Sequence, residues 1–217
     1  MDFTATVEGN REVGPGTVAL DLTAPSEFDG KPGQFVRLTA TLDGESVSRF
    51  YTISSPDTAD TFETTVALPD DDETDDDSPD FAEYLVGLEP GAEINVSGPF
   101  GDEFYDGEAR AVVLAGGPGI GPAVAIAERA LDADNEAAVV YQDDAPAHTE
   151  RLETLRERGA TVTITDGEIR DAVAEAITGD AGEQAFVYGF AAFVDEATAA
   201  LDDAGYDADE ANVENFG

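Results

Sequence analysis

The chain has 217 residues, 41% of them hydrophobic, and sets 49 Asp and Glu against 10 Lys and Arg for a formal net charge of -39. That length and apolar content suffice for the core of one large domain or two small ones, while the charge makes nucleic acid and anionic membranes poor partners. With no cysteine in the chain, disulfides, thiolate zinc sites, iron–sulfur clusters and a thiol nucleophile are excluded.

The acids are spread through every segment rather than gathered in a tail, which predicts a surface adapted to high salt. Molar salt shortens the screening length to roughly 3 Å and removes most of the self-repulsion of such a surface. The opening residues MDFTATVEGN lack the basic and apolar regions of a signal peptide, and no apolar run reaches membrane-spanning length. The expectation is a soluble protein of a halophilic cytoplasm.

Residues 1–107 read as short strands: FTATVEGN, GTVALDLTA, QFVRLTATL, RFYTISS, TFETTVAL and AEINVSG, punctuated by Gly, Pro and Asp. Such spacing predicts an antiparallel β-barrel or sandwich. Its one helix candidate is SPDFAEYLVGL, with Ser78 as cap, Pro79 in the first turn, and Phe81, Leu85 and Leu88 along one face. The acidic run at 69–80 reads as a solvated loop, since it lacks calcium-loop spacing.

From 108 to 217 the texture changes to compact apolar strands, AVVLAG, AAVVYQ, TVTITD, QAFVYG and ANVENF, with helical patterns over 121–133, 149–158, 168–178 and 191–204. Alternation of this kind predicts an α/β domain with helices on both faces of a parallel sheet.

Two stretches carry chemistry. LAGGPGIGPA (114–123) follows a strand and opens a helix, where glycines let the backbone approach a diphosphate at the helix N-terminus. It matches neither the Gly-x-Gly-x-x-Gly fingerprint nor a Walker loop, so a plain tight turn stays open. RFYTISSP (49–56) spends one of nine arginines beside a Tyr and a run of hydroxyls; as a half-buried strand it needs no ligand. His148, the only histidine, reads as a surface or capping residue, and no metal site is expected.

Taken in order, PGQFV (32–36), RFYTISS (49–55), FAEYL then GPFG (81–101), AGGPGIGP (115–122), VYGFAAF (187–193) and NVENF (212–216) resemble the ferredoxin-NADP reductase family of flavin enzymes. The resemblance implies a β-barrel FAD-binding domain (1–107) followed by an NAD(P)-binding α/β domain (108–217). It assigns Arg49 to the flavin phosphate, Tyr51 to the flavin and its ribityl chain, and Thr52 to the neighbourhood of the flavin N5, with Phe50 and Ser54 in the same binding strand.

The family often has Ser or Thr against the diphosphate where Ala82 follows Phe81, so backbone amides would serve there; FAD is favoured over FMN. Gly116, Gly117, Pro118, Gly119, Gly189 and Phe190 are implied for nucleotide binding. Tyr188 stands where the family has a Cys beside the nicotinamide, and its ring is expected to crowd or stack on it. Glu214 is the candidate for proton relay and Phe216 for the ring covering the flavin. Asp143 and Asp144 favour NADH over NADPH, although Arg151, Arg156 and Arg158 on the next helix bear the opposite charge; pairing with Glu150, Glu153 or Glu157 is their plainer role. Electrons would pass to a separate carrier, a ferredoxin or an oxygenase component. The alternatives are a flavin- or nucleotide-binding redox sensor with little turnover, and an assembly subunit with neither ligand.

Overall fold

The computed structural model describes residues 1–68 and 81–217. The expected acidic loop, with Ser78 and Pro79, lies outside the described residues. The first half is an antiparallel sheet of β1 (Asp2–Gly14), β2 (Thr17–Thr23), β3 (Phe35–Leu42), β4 (Glu45–Thr52), β5 (Thr61–Ala67) and β6 (Glu93–Phe100), in the order β4-β3-β6-β1-β2-β5. A bridge between Ile53 and Thr64 brings the β4 end to β5 and curls the sheet into a barrel. Alternation puts Val36 and Leu38, Leu20 and Leu22, Ile94 and Val96 inside.

Helix α1 (Phe81–Val86) packs Phe81 and Leu85 into that core. At its C-terminal end the Asn10 amide donates to the carbonyls of Val86 at 2.7 Å and Leu88 at 2.9 Å, satisfying groups the helix end leaves free. Strand β1 runs further than its sequence pattern indicates, because register shifts after Val7 and Glu12 bend it. Its end reaches the second half, where Val13 packs on that core.

That half is a parallel sheet of β7 (Arg110–Gly116), β8 (Glu136–Gln142), β9 (Thr161–Thr165), β10 (Glu183–Gly189) and β11 (Asn212–Asn215), ordered β11-β10-β7-β8-β9. Helices α2 (Ile120–Asp132) and α3 (Thr149–Glu157) cover one face, α4 (Arg170–Ala176) and α5 (Ala191–Asp203) the other. Along β7, Val113 and Ala115 turn to α2, while Val112 and Leu114 turn to the α4 and α5 side, which is why the strand is apolar throughout. Among the described residues no helix is long and apolar enough to cross a membrane.

Candidate functional site

The site grows from the end of β4. Cross-strand pairing sets Arg49 opposite Leu38 and Tyr51 opposite Val36, so these two share a face, whereas Phe50 lies opposite Arg37 on the other. Arg49 is exposed and donates to the Ser48 carbonyl at 3.0 Å; among the described residues it forms no ion pair. A guanidinium supplies the planar fork of donors that suits an anion. Tyr51 is half-buried, its ring 6.4 Å from that of Phe81, which in turn stacks at 6.0 Å on Tyr84.

At the strand's end the Thr52 hydroxyl donates to Glu214 Oε1 at 3.1 Å, a bond reaching from the barrel to β11 of the second half. Burial pushes the Glu214 carboxyl up to about 7, with the Thr52 bond pulling the other way. Beyond it the Phe216 amide donates to the Gly189 carbonyl at 3.0 Å, and the Phe190 and Phe216 rings meet edge to face at 6.0 Å. Phe190 is 53% exposed, so this aromatic pair stands at the open end of β10 and β11.

On the neighbouring strand, Gly116 leads into a tight turn (Gly117–Gly119) that continues into α2. Gly117 has φ +52° and nothing within 4 Å of where a Cβ would stand, so the turn offers bare backbone. Gly119 lies so close to the Tyr188 carbonyl that no side chain fits. Pro118 occupies the turn itself.

The other residues expected at the site are placed as follows. Tyr188 is wholly buried, with its hydroxyl 3.3 Å from the Glu103 carbonyl and its ring in the core shared with α2. Ser54 is also fully buried, its hydroxyl taken by Thr65 at 3.0 Å, so it is withdrawn from any cofactor surface. Phe50 turns away from Arg49 and Tyr51 to join Phe35 at 5.4 Å and Phe100 at 6.3 Å. Phe81 sits in the barrel core, leaving its ring to pack beneath Tyr51; Ala82 beside it is partly buried.

Asp143 is turned inward, accepting from the Tyr141 hydroxyl and the Ala145 amide, each at 2.8 Å. Asp144 is the exposed acid of that loop. Arg156 pairs with Glu153 at 3.1 Å, as its plainer role requires, and Arg158 reaches Asp132 at 2.6 Å. Arg151 instead leaves its own helix for Glu128, Glu63 and the Ser54 carbonyl.

His148 is neither a surface group nor a side-chain cap. It is buried, adopts φ +53° ahead of α3, and its Nε2 lies 2.9 Å from Thr65 Oγ1. Burial first, then the charges of Arg151 and Arg11, push it down to about 3, so it stays neutral. Sequence reasoning missed this seam; its one visible signal is Glu63, an acid in the middle of the strand TFETTVA, whose interior is buried.

Comparison with known proteins bears on this arrangement. Residues 5–105 match the family model described as the oxidoreductase FAD-binding domain. The chain is 34% identical over 125 residues to a probable dihydroorotate dehydrogenase B (NAD(+)) electron transfer subunit of Methanopyrus kandleri, covering 58% of this chain and 43% of that protein. It is 41% identical over 103 residues to the glycine betaine monooxygenase reductase subunit of Chromohalobacter salexigens, covering 45% and 26% respectively. The chain thus spans less than half the length of these curated relatives.

Among solved structures, the FAD/NAD-binding domain of nitric oxide dioxygenase from Vibrio cholerae superposes with a TM-score of 0.82 at 18% identity, covering 99% of this chain and 98% of that one. A ferredoxin NADP+ reductase from Neisseria gonorrhoeae with bound FAD and NADP gives 0.78 at 18%, covering 100% and 99%. The chain shares the fold of these two structures, an antiparallel barrel followed by a parallel α/β sheet. The residues present fit a flavin: an exposed guanidinium, a half-buried ring and a hydroxyl succeed one another along β4.

Proposed function

We propose that the chain is an FAD-dependent NAD(P)H oxidoreductase that serves a separate electron-accepting protein. The observation that carries this reading is the Thr52–Glu214 bond, which joins the strand bearing Arg49 and Tyr51 to the C-terminal strand bearing Phe216. The chemistry a bound FAD supplies is acceptance of a hydride and release of its electrons one at a time.

Arg49 would hold the flavin phosphate as a charge-assisted fork, with Tyr51 along the flavin and backbone amides near Ala82 toward the diphosphate. Thr52 and Glu214 would border the reacting edge, where the Thr52 hydroxyl donates to Glu214 and burial raises the carboxyl so that it can hold a proton. Phe216, braced by Phe190, would cover the flavin and keep water from it.

The bare backbone at Gly117, with Gly116, Pro118, Gly119 and the β10 end at Gly189, receives the nucleotide. NADH is the favoured reductant: the exposed Asp144 repels a 2'-phosphate and accepts from a free ribose hydroxyl, and Arg151, Arg156 and Arg158 are held by carboxylates elsewhere. The names of the two curated relatives, an electron transfer subunit and a reductase subunit, support a separate acceptor such as a ferredoxin or an oxygenase component. The acidic surface supports work in a salt-rich cytoplasm.

The test is reconstitution in molar potassium chloride with FAD or FMN, then anaerobic addition of NADH or NADPH. FAD retained and bleached faster by NADH is the expected result. Failure to retain either flavin overturns the reading.

A further inference from the structure

The barrel and the α/β half meet along a buried polar seam that the reaction as described does not use. Arg151, in the first turn of α3, donates Nη2 to the Ser54 carbonyl at 2.9 Å and Nη1 to Glu63 Oε1 at 2.7 Å, both in the barrel. Its Nε and Nη2 also donate to the two carboxylate oxygens of Glu128 on α2, at 2.8 and 2.6 Å. The other Glu63 oxygen accepts from Arg11 of β1. Beside this cluster runs a second bridge, from His148 through Thr65 to the Ser54 hydroxyl, and the His148 amide donates to the Val13 carbonyl at 2.8 Å.

Ser54 is thus gripped through carbonyl and hydroxyl together, two residues beyond the Thr52 that Glu214 holds. One short piece of chain, 52–54, is fastened at both ends by different elements of the second half: β11 at Thr52 and the start of α3 at Ser54. Buried ion pairs gain little net stability over apolar packing of the same shape, because desolvation offsets their attraction. Their planar, bidentate geometry does fix orientation.

We propose that Arg151 is a positioning residue that sets the angle at which the nucleotide-binding half meets the motif strand, and with it the approach of the nicotinamide to the flavin. This rests on the reductase reading above. A displacement of about 1 Å at a reacting centre costs on the order of 100-fold in rate, so the signature of a lost clamp is a slow transfer with binding preserved.

The experiment compares wild type with Arg151→Met and with Arg151→Lys, which keeps the charge but not the fork. Flavin bleaching by NADH is followed by rapid anaerobic mixing, and FAD affinity and the nucleotide KM are measured in parallel. In both variants the bleaching rate constant falls about 100-fold while FAD affinity and KM change less than threefold. Should Arg151→Met fail to fold, Arg151→Lys alone carries the comparison. A bleaching rate that stays at the wild-type value, or falls only together with FAD affinity, overturns the proposal.

Because the chain has no cysteine, a pair of spin labels at Ser46→Cys and Glu175→Cys, both exposed positions, reports the angle between the halves without reference to activity. The distance distribution broadens or shifts when Arg151 is replaced, and an unchanged distribution overturns the clamp. If wild type is not bleached by NADH at all, the reductase reading fails, and the label distances still decide whether Arg151 fixes the two halves.

Discussion

Glu214 is the residue whose chemistry the fold most alters. Its carboxyl is raised in the folded chain to about 7 from 4.5, so the native state binds more protons than the unfolded chain between those values. The stability it contributes is complete below about 4.5 and is lost as pH rises through about 7. Denaturation in molar potassium chloride at pH 5 and pH 8 should show a drop in wild type that Glu214→Gln lacks. The same variant should flatten the bend near pH 7 in the rate of flavin reduction. Arg49 makes a different prediction: a charge-assisted bond contributes about 1.5–3 kcal/mol, so Arg49→Ala weakens FAD binding by roughly 10- to 100-fold in a fluorescence titration. At Asp144, replacement by Arg should shift preference toward NADPH, read as the ratio of kcat/KM for the two nucleotides.

Between elements, Phe193 in the first turn of α5 explains two of the glycines. Its ring lies against both Gly116 and Gly189, where any Cβ would collide with it, and so draws the ends of β7 and β10 together beside the glycine turn. Phe193→Ala should cost about 3–5 kcal/mol in denaturant midpoints at fixed salt and loosen nucleotide binding with it. Strand alternation and the helical repeats were legible from sequence, because each follows from the burial of one face or both. The parity of individual residues was less so. Tyr188 occupies a strand buried on both sides, where an apolar run leaves no mark of which face a ring takes. Phe50 is 61% exposed because β4 is an edge strand whose outer face bears its own aromatic cluster. His148 and Arg151 read as helix-surface groups until the barrel is packed against α3, a contact no local pattern encodes.

Across the whole molecule, the charge of -39 and the interdomain seam bear on the same question of how two halves stay in register. Exposed carboxylates repel at every distance shorter than the screening length, about 10 Å at 0.1 M salt and 3 Å at 1 M. Lowering potassium chloride from molar to about 0.1 M should therefore reduce Tm, while the sheltered Arg151–Glu63–Glu128 cluster, with Glu63 7% exposed at its side chain, is screened much less. The central claim is that this chain passes a hydride directly from a nicotinamide to a flavin it holds. Anaerobic rapid mixing of the FAD-loaded protein with NADH deuterated at either face of C4 tests it. Direct transfer predicts that bleaching slows for one deuterated face and not the other. Bound FAD that neither nucleotide bleaches, or bleaching indifferent to deuterium at both faces while chemistry limits the rate, would contradict it.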